Sequence, residues 1–223
     1  ERIEKAKAEI QNKLVAQLQR LHLDPTPVDL ETTQDRLIAR YRLAGREQLS
    51  AHTPRPQAPG DSLLSVQVHE TALNNALDHL NLAGRKIELR DLFTEMTTRF
   101  DDQKIPVPED LPEGVFVTFT DQEPVRLDFQ DGRLRIRIHL KELSITSNHK
   151  TFKNLIVTGY YKPHPDQLDA NLERDGFIEL GGNRLGAGER IMLAGIFEKG
   201  LSRNRKLNLV NGRISKSPEP KEQ

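Results

Sequence analysis

The chain has no cysteine and no tryptophan. Without cysteine it has no disulfide framework, no thiolate metal site and no cysteine nucleophile, and the redox compartment stays open. No apolar run approaches the roughly 18 residues that a membrane-spanning helix needs. Charge of one sign is missing as well: 33 Lys and Arg balance 33 Asp and Glu, so any pull on nucleic acid or anionic membrane must come from a local patch. Hydrophobic residues make up only 35% of the 223 positions against 30% charged, which predicts a modest core. The chain opens on Glu1 without an initiator Met or a signal-peptide core. It therefore reads as a fragment or processed form, with an envelope or extracytoplasmic setting slightly favoured.

What is present falls into two regimes. The first half has helical spacing. Ile3, Ala6, Ile10, Leu14, Leu18 and Leu21 predict a helix over 2–22, stopped by "DPTP". Leu37, Ile38, Tyr41 and Ala44 predict a second over 30–44, so that residues 1–51 form a helical hairpin. "HTPRPQAPGD" then reads as a linker, placed at 52–62. "LLSVQV", 63–68, alternates like a strand. Two further helices follow, one carrying Leu73, Ala76, Leu77 and Leu80, the other Leu89, Leu92, Phe93, Met96 and Phe100.

From Val115 the apolar period shortens to two. In "VRLDFQDGRLRIRI" the Asp131-Gly132 dipeptide signals a two-residue hairpin turn, because both residues tolerate positive φ. Folding there sets Phe129 against Leu134, Leu127 against Ile136 and Val125 against Ile138, all on one side. "FKNLIVTGYY", 152–161, reads as a central strand. A second hairpin is expected about Arg174-Asp175-Gly176, pairing Leu172 with Ile178 and Ala170 with Leu180. A helix over 188–201 carries Ile191, Ala194, Ile196, Phe197 and Leu201. A hairpin about Asn211-Gly212 closes the domain, assigned to 63–216, and 217–223 reads as a disordered tail. Runs of helices followed by runs of strands argue α+β, with an antiparallel meander packed on one or two helices.

No catalytic constellation emerges. The seven histidines are scattered, and none has the i, i+4 spacing of a helical zinc motif. "GGNRLGAGER", 181–190, lacks the ending of a phosphate loop and reads as a connector. No serine sits in a nucleophile elbow. The chain is read as non-enzymatic, with no metal and no cofactor.

Two surfaces remain. Arg133, Arg135 and Arg137 share one strand face with His139 and Lys141, and Arg203, Arg205 and Lys206 follow the last helix. They read either as a patch for the phosphates of lipid or nucleic acid, or as a solvated face partnered by Asp128 and its neighbours. Nucleic acid is the weaker case, since exposed aromatics are wanting. The opposite face carries Val125, Leu127, Phe129, Leu134, Ile136 and Ile138, an apolar surface for helices or for a ligand. In its order of elements and its strand lengths, residues 63–200 loosely resemble the tubular lipid-binding (TULIP-like) half-barrels. That resemblance implies a lipid or other apolar ligand under a curved sheet. The expectation is a binding or scaffold module for such a ligand, or a protein-interaction domain of a larger envelope protein.

Overall fold

A computed structural model describes residues 12, 15–16, 18–19, 23, 25–33, 37–44, 48, 69–100, 111–166, 169–182, 184–201 and 204–207. The expected linker, the strand at 63–68, the Asn211-Gly212 hairpin and the tail lie outside them. So does most of the expected first helix, whose described positions are helical.

Residues 30–44 are not a helix. Strands β1 (Thr26–Thr32) and β2 (Leu37–Arg42) form a separate antiparallel pair, with Leu30 opposite Ala39 and Glu31 opposite Ile38. Within 37–42 Leu37, Ala39 and Tyr41 alternate, and Pro27 and the β-branched Val28, Thr32 and Ile38 favour the strand over the helical spacing of Leu37, Ile38, Tyr41 and Ala44. Arg40 fastens the pair by reaching across to both Asp29 Oδ1 and Glu31 Oε2 at 2.9 Å.

Helix α1 (Glu70–Asp78) is capped by His69, whose Nδ1 accepts the Thr71 N–H. It buries Ala72, Asn74, Asn75 and Ala76, a face rotated away from the expected Leu73 and Leu77, which are half-buried. Ala72 and Ala76 pack on Leu23, with Leu18 and Leu43 alongside. Strand β3 (Lys86–Glu88) leads into α2 (Leu89–Phe100), which buries Leu89, Leu92 and Phe93.

The main sheet is antiparallel throughout and has eight strands, built on two long ones: β6 (Arg133–Ile145) and β7 (Lys150–Asp166). The outer edge of β6 is shared by β4 (Val115–Phe119) and β5 (Val125–Gln130), that of β7 by β8 (Asp169–Arg174) and β9 (Glu179–Gly182). β10 (Asn204–Leu207) lies beyond β8, and β3 beyond β4. The second hairpin expected about Asp175 does not form. Leu172 pairs with Pro163 and Leu180 with Val157, so β8 and β9 follow one another along β7. The chain keeps going straight because the Asp175 N–H donates to Tyr160 O, while Lys162 and Arg133 hold the Asp175 carboxylate.

The first hairpin forms in the expected register: Val125 faces Ile138, Leu127 faces Ile136 and Phe129 faces Leu134. Asp131 (φ 52°) and Gly132 (φ 71°) take the two left-handed positions of its turn.

Both central strands slip by one residue at the same level. The apolar positions of β6 step by two as far as Leu140, then by three to Leu143, and those of β7 step by three from Phe152 to Leu155. Lys141 is the extra residue relative to β4, and Asn154 is left-handed (φ 54°). The bulge that Lys141 makes against β4 bends the sheet and adds twist, and β7 follows β6 through it without losing register. The same level holds the gap between β4 and β5 and the end of β9.

Helix α3 (Ala187–Gly200) closes one face with Leu193, Ile196 and Phe197. Leu193 is fully buried, whereas Ile191, expected inward, is 75% exposed: the burial stripe runs 193, 196, 197 and 200, which puts 191 on the opposite side. Gly200 lies flat on the Phe93 ring, where a Cβ would overlap Cζ and Cε2. At its C-terminal end the nearly buried Arg174 of β8 donates to Leu201 O at 2.9 Å and to Glu198 Oε2 at 2.7 Å, a cation where the helix dipole favours one.

Candidate binding surfaces of the sheet

The six apolar hairpin residues share one face but not one environment. Val125 and Ile138 are buried in the main core with residues of α2 and α3. Leu134 is buried in a second cluster with Tyr161 and Leu172, which Leu127 and Ile136 flank. Phe129, at the tip, is 49% exposed. Phe177, in the connection between β8 and β9, is exposed too, contrary to the expectation that the aromatics all point inward. Its neighbour Ile178 takes the buried position, which leaves Phe177 the solvent side.

The opposite face carries the arginines, and each has a carboxylate. Asp128 binds Arg135 at 2.8 Å and Arg137 at 3.2 Å. Arg133 lies over the Tyr160 ring, 4.7 Å from its centroid, and reaches Asp175 at 3.4 Å. Arg126 lies 3.6 Å from Glu123. The hydrogen bond to Asp128 holds the Arg135 guanidinium charged more firmly than usual. Hydrogen bonding by Lys162 above all, and then by Arg133, holds the Asp175 carboxyl below the ordinary aspartate range against a smaller opposing effect of burial. Around these strands Arg126, Arg133, Arg135, Arg137 and Lys162 meet Glu123, Asp128, Glu173, Asp175 and Glu179, five charges against five. Asp128 was visible in the sequence as a cross-strand partner. Asp175 was not, because it arrives from a connection some forty residues on.

The second basic group is split and kept apart from these arginines: Lys206, opposite Asn171, lies by register on the same face, and Arg205, opposite Leu172, on the other. Arg205 and Lys206 belong to β10, with β8 and β7 between it and β6, roughly 14 Å away at the usual strand spacing. Arg203 lies outside the described residues.

Where the sheet bends, an open groove of about 440 Å³ interrupts the arginine face, flanked by the Lys141–Asp121 pair at 3.7 Å. Its lining is Thr120, Gln122, His139, Leu140, Asn154, Leu155, Ile156 and Gly182. The connection between β4 and β5 builds one wall. Thr120 N donates to His139 O at 3.1 Å, its hydroxyl to Gln122 O at 2.9 Å, and His139 N donates to Pro124 O at 2.8 Å. The other wall is the end of β9, where Gly182 (φ 98°) runs so close to Asn154 O that a Cβ would overlap it. Ile156, paired with His139, is 36% exposed. Sequence reasoning assigned His139 to the polar face but missed the groove, because its lining comes from four separate segments of the chain.

Among the described residues no group of three or more His, Asp or Glu is placed to hold a metal ion, and no helix is long and apolar enough to cross a membrane. No protein-family model, no curated protein and no solved structure matches the chain.

Proposed function

We propose that this α+β chain is a non-enzymatic binding module whose partner is a protein, seated on the groove at the bend of the sheet. One observation carries the reading: a half-exposed isoleucine, Ile156, ringed by the polar Thr120, Gln122, His139 and Asn154, interrupts a face otherwise occupied by ion pairs. Protein interfaces combine a partly apolar centre with a polar rim in this way. The groove is too open to enclose a small molecule, which sites for such ligands usually do. The balanced charge around the arginines offers no net attraction to an anionic surface, so the basic strand serves to keep the face soluble.

A second reading has its own support. Phe129 and Leu127 extend the apolar face beyond the part that helices cover, which suits a lipid or other apolar ligand entering at the hairpin tip.

Photo-crosslinking in the native host separates the two. A benzoylphenylalanine at Ile156 is expected to give one discrete protein adduct that the same probe at Ile191 does not. Adducts at neither position, or identical ones at both, would refute the groove. Native mass spectrometry reads the second: a co-purifying apolar ligand that disappears with Phe129→Asp supports it, and no such ligand counts against it.

A further inference from the structure

Strand β5 has two edges, and among the described residues only one of them meets another strand. The other faces α1. Leu127 N donates to Asn74 Oδ1 and Asn74 Nδ2 donates to Leu127 O, both at 2.8 Å, while Phe129 N donates to Glu70 Oε2 at 2.9 Å. The match is geometric. Four residues of helix advance about 6 Å and two residues of strand about 6.8 Å, so side chains at i and i+4 meet backbone groups at j and j−2. The carboxamide of Asn74 gives Leu127 the donor and acceptor that a neighbouring strand would give.

The N-terminal half of α1 is lightly held. The helix has nine residues, short enough to be marginal alone, and its first turns pack through Ala72 and Ala76 rather than large side chains. Beneath it lies a self-complementary edge. The residues whose backbone groups point outward are 125, 127 and 129. Two copies of β5 paired antiparallel about Leu127 set Val125 against Phe129 and, at the close non-hydrogen-bonded positions, Arg126 against Asp128 twice over. Such an arrangement is a closed twofold contact.

We propose that β5 is a latent self-association edge, that Glu70 and Asn74 hold it shut, and that the partner it takes on release is β5 of a second copy of this chain. The other long free edge is closed differently. Beyond Tyr161, β7 has no β6 residue beside it, and the Tyr160 carbonyl points towards β8. By alternation residues 163 and 165 point the other way, and both are prolines, with no N–H to offer. One edge is blocked permanently by covalent structure, the other only by two side chains on a short helix.

Asn74→Asp tests this. It keeps the acceptor for Leu127 N but sets a carboxylate oxygen against Leu127 O. Sedimentation velocity over a hundredfold concentration range is expected to show a monomer–dimer equilibrium in the variant, shifted at least tenfold towards dimer relative to the unaltered chain. Adding Phe129→Pro removes an outward N–H, while adding Phe129→Leu keeps the N–H and removes only the ring; the first is expected to restore the monomer and the second to leave the dimer, and adding Arg126→Glu, which would face Asp128, is expected to restore the monomer as well. A variant that stays monomeric, or a dimer indifferent to Phe129→Pro and to Arg126→Glu, overturns the proposal. Should Asn74→Asp not fold, the milder Glu70→Ala is read in the same way.

Discussion

Asn74 and Leu127, 53 residues apart, exchange two hydrogen bonds of 2.8 Å, side-chain amide to main-chain amide. Asn74 is 2% exposed, so neither group of Leu127 is offered to water in its place. Asn74→Ala leaves a donor and an acceptor without a partner and should cost about 2–4 kcal/mol. Urea unfolding followed by circular dichroism measures it, as a lower midpoint with an unchanged slope. A loss below about 0.5 kcal/mol would mean that water replaces the amide.

Two glycines of α3 should respond oppositely to the same change. Nothing lies within 4 Å of a Cβ at Gly195, so Gly195→Ala gains the helix preference of alanine, about 1 kcal/mol. At Gly200 the new methyl would enter the Phe93 ring, and Gly200→Ala should destabilise by about 1–3 kcal/mol. Thermal melts of the two variants give the comparison directly, and Phe93→Leu should partly rescue the second.

The Asp175 carboxyl sets a pH window. Its pKa is lowered in the folded chain, chiefly by the Lys162 hydrogen bond. The stability linked to it is therefore complete above the unfolded aspartate value, about 3.9, and is lost as the pH falls through that value towards the lower folded one. Between pH 6 and 8 this group contributes no pH dependence. In a carbon NMR titration the Asp175 midpoint should lie below the ordinary range, and Lys162→Met should move it upward.

Balanced charge on the arginine face predicts weak retention on heparin at physiological salt. Asp128→Asn with Asp175→Asn frees Arg133, Arg135 and Arg137 and should move elution to clearly higher salt. Strong retention of the unaltered chain, reduced by Arg135→Ala, would instead assign the strand to anions.

The sheet was partly legible in the residues themselves. The Asp131-Gly132 turn and its alternating flanks specify one register, since a slip of one residue would turn every apolar side chain outward. The matched bend was not read from the residues, because the steps from Leu140 to Leu143 and from Phe152 to Leu155 gain their meaning only once the two strands are paired. Residues 30–44 misled because Leu37, Ile38, Tyr41 and Ala44 have helical spacing, whereas the chain turns back between two short strands that the cross-strand partners of Arg40 tie together. The groove was not legible, since no local pattern joins Thr120, His139 and Gly182.

By itself the sequence determined the α+β class, the central hairpin and the absence of cysteine chemistry, because turn dihedrals, side-chain alternation and composition are properties of neighbours along the chain. Only the tertiary structure decided that Asp175 joins Asp128 in neutralising the arginines, that β9 pairs with β7, and that a helix asparagine closes the edge of β5. Those contacts join residues some twenty to sixty positions apart, and a hydrogen bond over that separation depends on packing rather than on any pattern in the local sequence.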